Sequence, residues 1–413
     1  MILTRCPRCL QAFFAPLRHL LGTAARYRHL WAVVVAWLLN PRAPKLLHLA
    51  ARRGQRHRTV LGWFLGRDDW DAADLLDVQA LRLLRRLRPG PGDILYLLLD
   101  DTRIAKRGKK MAHLSKLWDH KQQRFVTGHL VVTAAWLFRG VVIPWQFVLW
   151  RPKDSAGPRY RKTTQIAADL VGAMPDIPGV RVRVLFDAFY LCPAVTNACR
   201  ERGFTWFSVA ASNRTLRTAR GAKRKLADWR AGYLRQCGRR VRLRRARGWA
   251  WMRIADAAVR LSRIGAVRLV LSKRPTDPWK KTLAVVTNET RLGGREILAA
   301  YEQRWWIEVL FKELRGTLGL GAYQVLDEQK IVNHLHLCGL AHQVLTHHGL
   351  PAGGAQATTT STERLSLPPL SQRLTSLRET LRQERVTELV KRTRHAQARR
   401  RLKKLLQEFA TAA

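Results

Sequence analysis

The stretch DILYLLLDDT, residues 93–102, is an unbroken apolar run that ends in two aspartates, and a second run, RVRVLFDAFY at 181–190, carries Asp187 in the same way. A short continuous apolar run bounded by polar residues predicts a strand buried on both faces. Between the two, TGHLVVTAAWLF and VVIPWQFVLW are separated by Arg139–Gly140, a plausible tight turn, and extend the first strand into a three-strand meander. RYRKTTQIAADLVGAM then predicts a helix, PAVTNACRERG another, and FTWFSVAAS a further strand.

Three antiparallel strands followed by helix, strand, helix and strand is the order of an α/β, ribonuclease-H-like core. Residues 91–345 are assigned to this core, with 212–292 as a basic, β-rich insertion holding Arg235, Arg239, Arg240, Arg242, Arg244, Arg245 and Arg247. Residues 1–90 are expected to be a helical module with helices broken at Pro41, Gly54 and Gly66, similar to small helix-turn-helix DNA-binding modules. A linker is expected at 346–363 and a basic helical region at 364–413, including KRTRHAQARRRLKKLLQE.

The chain has 413 residues, with 75 Lys and Arg against 29 Asp and Glu, a formal net charge of +46. Such a charge repels itself and calls for a polyanion. At 47% hydrophobic with 15 Trp, the chain is too apolar for a disordered basic tail. Six scattered cysteines exclude a disulfide framework, and the Cys6–Cys9 CxxC has no second half at zinc-finger spacing. The apolar runs Trp31–Leu39 and Leu130–Trp150 are too short or too interrupted for the ~20 residues of a membrane span. With no signal peptide evident, the expected location is the cytoplasm, with no membrane partner. No GxxxxGK[ST] phosphate loop is present, which argues against an ATP-driven enzyme.

With so few acids, those at strand ends stand out. The carboxyl ends of strands in open α/β sheets are where sites form. A third acid lies in YEQRWWIEVLFKELR: at about 100° per residue, Arg304, Glu308 and Arg315 fall within roughly 60° of Tyr301, and Lys312 joins that edge. Trp306, Ile307, Leu310 and Leu314 point the other way, toward a core. Singly, each aspartate reads equally well as an Asx turn or cap, and the helix as an amphipathic surface helix. Together, one of the Asp100/Asp101 pair, Asp187 and Glu308 form a set able to hold two Mg²⁺ ions about 3.5–4 Å apart for phosphodiester chemistry, with Mn²⁺ as a substitute.

These residues resemble the DDE transposases of bacterial insertion sequences that bear a Tyr-x2-Arg-x3-Glu-x6-Lys signature. Tyr301, Arg304 and Glu308 match that spacing, and Arg315 stands where the pattern has Lys. In this class Ser or Thr follows two residues after the first acid, so Asp100 with Thr102 is the expected first ligand, and Asp187 the second. The resemblance covers roughly residues 60–345. It implies Asp100, Asp187 and Glu308 as catalytic metal ligands, and Tyr301, Arg304, Lys312 and Arg315 as DNA-backbone contacts. It further implies cleavage at transposon ends followed by strand transfer, double-stranded DNA partners (terminal inverted repeats and target) and a homodimer in the synaptic complex, nucleoid-associated in a bacterium. Related members pass through a DNA hairpin and flip a base onto aromatic residues, a role open to Trp305, Trp249 or Trp251, whereas Trp306 is expected in the core. The alternatives are a catalytically silent DNA-binding derivative and a nuclease on the same fold that cuts without joining.

Overall fold

The computed structural model describes residues 5–40, 57–67, 69–119, 123–245, 248–351 and 364–392. Helices α1 (Arg8–Phe14), α2 (Ala24–Leu39), α3 (Arg58–Gly66) and α4 (Ala72–Arg86) come first. Strands β1 (Ile94–Ala105), β2 (Ser115–Asp119), β3 (Arg124–Phe138) and β4 (Val141–Leu149) follow, then α5 (Thr163–Gly172), β5 (Arg181–Leu185), α6 (Pro193–Glu201) and β6 (Thr205–Val209). The basic stretch forms β7 (Thr215–Thr218), β8 (Lys223–Lys225), α7 (Leu226–Cys237), β9 (Arg239–Arg245), β10 (Gly248–Leu261), β11 (Gly265–Lys273) and β12 (Leu283–Thr287). Helices α8 (Gly294–Glu302), α9 (Trp305–Gly316), α10 (Glu328–Gly349) and α11 (Leu370–Arg392) end the series.

Two units divide the chain. One holds residues 1–86, 312–356 and 366–413; the other holds 87–311 and 357–365. In the first, α2 is apolar and buried from Leu30 to Leu38 without a break, and α10 is buried from Leu335 to Thr346 although it carries several polar side chains. The buried amides of α10 find carbonyls on neighbouring helices: Asn333 Nδ2 donates to Leu65 O at 2.8 Å and Gln343 Nε2 to Leu76 O at 2.9 Å. Gln79 donates likewise to Phe13 O. Residues 346–349, read as linker, are the last turn of α10. The rest of that linker from 352, the KRTRHAQARRRLKKLLQE run from 393 and the PKLLHLAARRG segment lie outside the described residues. Leu370, Leu374, Leu377 and Leu381 form the buried stripe of α11. No helix among the described residues is long and apolar enough to cross a membrane.

The second unit is a mixed α/β structure built on one sheet, ordered β2-β3-β1-β5-β6-β12-β11-β10-β7-β8, with β4 on β3 and β9 on β10. The β1–β5 and β5–β6 pairs are parallel and the others antiparallel. Parallel neighbours need a crossover, supplied by α5 before β5 and α6 before β6, and these helices lie against each other. The turn at Arg139–Gly140 is confirmed: both residues have positive φ (48° and 82°), as a two-residue type I′ hairpin needs, and Phe138 pairs with Val141. Pro144 is tolerated because β4 pairs only with β3, and the register skips Trp145 beside it.

Two sequence expectations are corrected. β1 does not stop at the aspartates; it continues to Ala105, held by β3, whereas its parallel pairing with β5 ends at Leu98–Leu185. The segment 301–315 is not one helix: it breaks at Gln303–Arg304, where amides bond three residues back, as in Arg304 N to Tyr301 O. Beyond these, β12 pairs with β6, so the basic stretch continues the sheet of β1 and β5. Its helix α7 and the strand β2 have no apolar periodicity strong enough to be read beforehand.

Gly128 lies between β1 and β2, paired with Ala105 and Ser115. A Cβ there would stand 2.2 Å from Ile104 O, a backbone atom that cannot swing away. Gly128→Ala is expected to destabilise the protein by about 1–3 kcal/mol, read as a lower urea midpoint at unchanged m-value. An unshifted midpoint would show that the ladder relaxes at no cost.

Candidate active site

The end of the β1–β5 pairing creates the site. Leu98 and Leu185 are the last parallel partners, and Asp100 and Asp187 each lie two residues further on. Asp100 is still within β1 and Asp187 lies just past the end of β5, near enough for its charge to act on Asp100. Asp101 alternates to the other side, where Tyr190 Oη donates to its Oδ2 at 3.2 Å and Arg103 stands 3.9 Å away.

Helices α8 and α9 bring the remaining groups. Arg304, in the break between them, donates from Nη1 to Asp100 Oδ2 at 2.9 Å and from Nη2 to Glu308 Oε1 at 2.5 Å. One planar guanidinium thus bridges the two carboxylates, a geometry suited to its fork of donors. Tyr301 hydrogen-bonds to Arg304, and Tyr301, Arg304, Asp100 and Asp187 all feel one another electrostatically. Tyr301 is half-buried against this cluster, not standing on an exposed ridge as the single-helix reading implies. Ile307, Leu310 and Leu314 are buried as expected, whereas Trp306 is half-buried with Arg364 lying 5.8 Å over its ring. Lys312 and Arg315 are exposed on the later turns of α9.

Burial pushes the Asp100 carboxyl up to about 7; Arg304 opposes this, and the neighbouring Asp187 and Asp101 add to it. Burial likewise pushes the Tyr301 phenol up to about 12, so it is a neutral donor at neutral pH. Burial works against the charge of Arg304, but Tyr301, Asp100, Glu308 and Asp187 outweigh it, and its pKa rises. Asp187 Oδ1 also accepts from the amides of Phe189 (2.9 Å) and Tyr190 (3.3 Å), so the turn reading of this aspartate holds alongside any other. Phe189 beside it is 57% exposed, and Tyr190 is buried under Asp101; neither residue stands out in the sequence.

The donor set, three carboxylates, suits a hard divalent cation. Thr133, opposite Asp100 in the β1–β3 ladder, and Thr102 have buried hydroxyls without a hydrogen-bond partner among the described residues. They leave polar capacity beside Asp100 for something further. Among the described residues no three Asp, Glu, His or Cys side chains stand close enough to share one ion. Arg304 accounts for this, since its guanidinium lies between Asp100 and Glu308.

A second surface lies on β9 and β10. Trp249 and Trp251 are 63% and 51% exposed. The guanidiniums of Arg242 and Arg240 lie over them at 5.4 and 5.2 Å. Trp305 is also exposed. Stacked cations and rings on one face are what nucleic-acid surfaces use.

Residues 16–268, more than half of the chain, match the family model described as DDE superfamily endonuclease, and the chain belongs to that family. The match takes in Asp100 and Asp187 and ends before Glu308. A curated relative, the probable transposase for insertion sequence element IS701 of Microchaete diplosiphon, is 26% identical over 152 residues, 36% of this chain. The matched stretch spans 38% of that relative's length.

Replacing Arg304 by Met removes the bridging charge and leaves Asp100 and Glu308 facing each other. The expected loss is about 1–3 kcal/mol of stability, seen as a lower Tm. Because the carboxylates are then open to another cation, millimolar Mn²⁺ should raise the Tm of Arg304→Met more than that of the wild type. An equal Mn²⁺ response in the two proteins would argue that the carboxylates form no cation site.

Proposed function

We propose that this chain is a DNA transposase that cleaves element ends and joins them to target DNA by two-metal phosphodiester chemistry. The observation that carries the reading is that Asp100 and Asp187 each lie two residues beyond the last parallel β1–β5 pair, with Arg304 joining Asp100 to Glu308. Membership of the DDE superfamily endonuclease family and the likeness to a probable insertion-sequence transposase support it. Tyr301, Arg304, Glu308 and Arg315 are taken as a Tyr-Arg-Glu-Lys signature with Arg in the last place.

In this mechanism Asp100, Asp187 and Glu308 would hold the divalent ions, which would supply Lewis-acid chemistry to the phosphodiester. Arg304 turns its fork from the carboxylates to a phosphate, exchanging one bidentate anionic partner for another of matching geometry. Tyr301, a neutral phenol, donates a hydrogen bond to a non-bridging oxygen and cannot compete as a nucleophile. Lys312 and Arg315 give the following DNA backbone its counter-charge. The helices of residues 1–90 recognise the inverted repeats, two copies synapse two ends, and the exposed Trp249, Trp251 and Trp305 offer rings to unstacked bases.

The test is cutting and joining of a labelled, pre-cut element end in Mg²⁺ or Mn²⁺. Glu308→Gln keeps size and hydrogen bonding but removes a ligating charge, so it should reduce both products by about 10³-fold or more while DNA binding persists. Asp101→Asn, directed at the other face of β1, should retain most activity. Equal activity in wild type and Glu308→Gln would refute the assignment. Cutting without joining by the wild type would instead indicate a nuclease.

A further inference from the structure

Strands β2 and β3 carry an aromatic pair that neither the core nor the carboxylate site uses. Trp118 and Phe125 face each other directly across the β2–β3 ladder, ring centroids 5.1 Å apart and edge to face. They are 37% and 66% exposed, an unusual position for large rings that core packing would normally bury.

Strand alternation fixes the face on which they stand. Phe125, Thr127, His129, Val131 and Thr133 share one face of β3. The register sets Trp118 opposite Phe125 and Lys116 opposite Thr127 on one side of β3. On its other side Ile104 faces His129, Thr102 faces Val131 and Asp100 faces Thr133. The exposed rings and Asp100 therefore stand on the same face of the sheet. Asp119 and Arg124, paired in register, lie on the opposite face. From Thr133 to Phe125 is eight positions, roughly 26 Å of strand, or about eight base pairs of B-DNA at ~3.4 Å each.

Residues 106–114 cover the face between. His129 and Ile104 are buried beneath them, and His129 Nε2 lies 2.8 Å from Ala112 O. The outer side of this cover exposes Arg107, Lys109 and Lys110, and Lys116 is exposed on β2. The exposed cations are thus carried by the segment that covers the sheet between Asp100 and the rings.

We propose that residues 106–118 together with Phe125 form a docking track for duplex DNA. Phosphates lie over Arg107, Lys109, Lys110 and Lys116, and the Trp118–Phe125 pair packs on sugar and base edges roughly eight base pairs from the scissile phosphate. The track rests on the reading of Asp100, Asp187 and Glu308 as the cutting site. Charge selects the occupant: a second copy of this chain, at +46, would bring like charge to a cationic strip, whereas a polyanion is attracted.

The experiment uses the full chain, wild type and Trp118→Ala/Phe125→Ala, with cleavable duplexes extending past the cut, on either side, by about five or about fifteen base pairs. The wild type should bind a long duplex at least about tenfold more tightly than a short one. The double variant should lose that advantage while cutting the short duplex at the wild-type rate with an unchanged Tm. Lys109→Ala/Lys110→Ala should lower the slope of log affinity against log salt by about two, on the long duplex alone. A double variant that keeps the long-duplex advantage overturns the track. Unchanged DNA affinity with a shift from self-associated to monomeric species in sedimentation would assign the rings to a contact between copies. Failure of the wild type to cut either duplex would count against the transposase reading, while the length dependence of binding would still decide the track.

Discussion

Carboxylates that share a half-buried site repel one another, and the arrangement at the end of β1 and β5 exists because Arg304 stands among them. In a medium of intermediate dielectric, two like charges a few ångströms apart cost on the order of several kcal/mol. Burial first, and then the neighbouring Asp187 and Asp101, raise the Asp100 carboxyl to about 7 against the opposing charge of Arg304. The break between α8 and α9 places the guanidinium where it can reach both Asp100 and Glu308.

Much of this was legible in the sequence. An apolar run as continuous as LYLLL has few homes other than an interior strand, and the Arg139–Gly140 turn is written in residue type. The pairing of β1 with β5, by contrast, depends on where a parallel ladder ends, which no single strand encodes. The helix break was hidden because Tyr301, Arg304 and Glu308 keep helical spacing even when two residues between them adopt a tighter turn. Arg304 still meets Glu308 four residues on. The strand β2 escaped notice because SKLWD buries only Leu117 and draws its order from β3. The joining of β12 to β6 was equally invisible, because LAVVT reads the same in any sheet.

The two cationic surfaces differ in construction. On β9 and β10, arginine and tryptophan side chains lie against each other at 5.2 and 5.4 Å, so each ring already has a cation above it. Along 106–116 the cations are borne by a covering segment and the rings follow at its far end. The first surface presents a preassembled platform and the second a path. Both belong to the unit that carries the carboxylates.

The ends of the sheet carry a further consequence. β8, at one extremity of the strand order, is Lys-Arg-Lys, every residue exposed. β9 hangs from β10 alone and is mostly arginine, and β2 at the other extremity exposes Lys116. Open edges are where one sheet would add strands from another and grow into aggregates, and charge on those edges is a common defence. In this chain the positive residues that attract a polyanion also keep the rims of a long sheet from adhering to one another. That protection weakens as salt shortens the Debye length, so colloidal stability and the proposed affinity for DNA draw on the same charges.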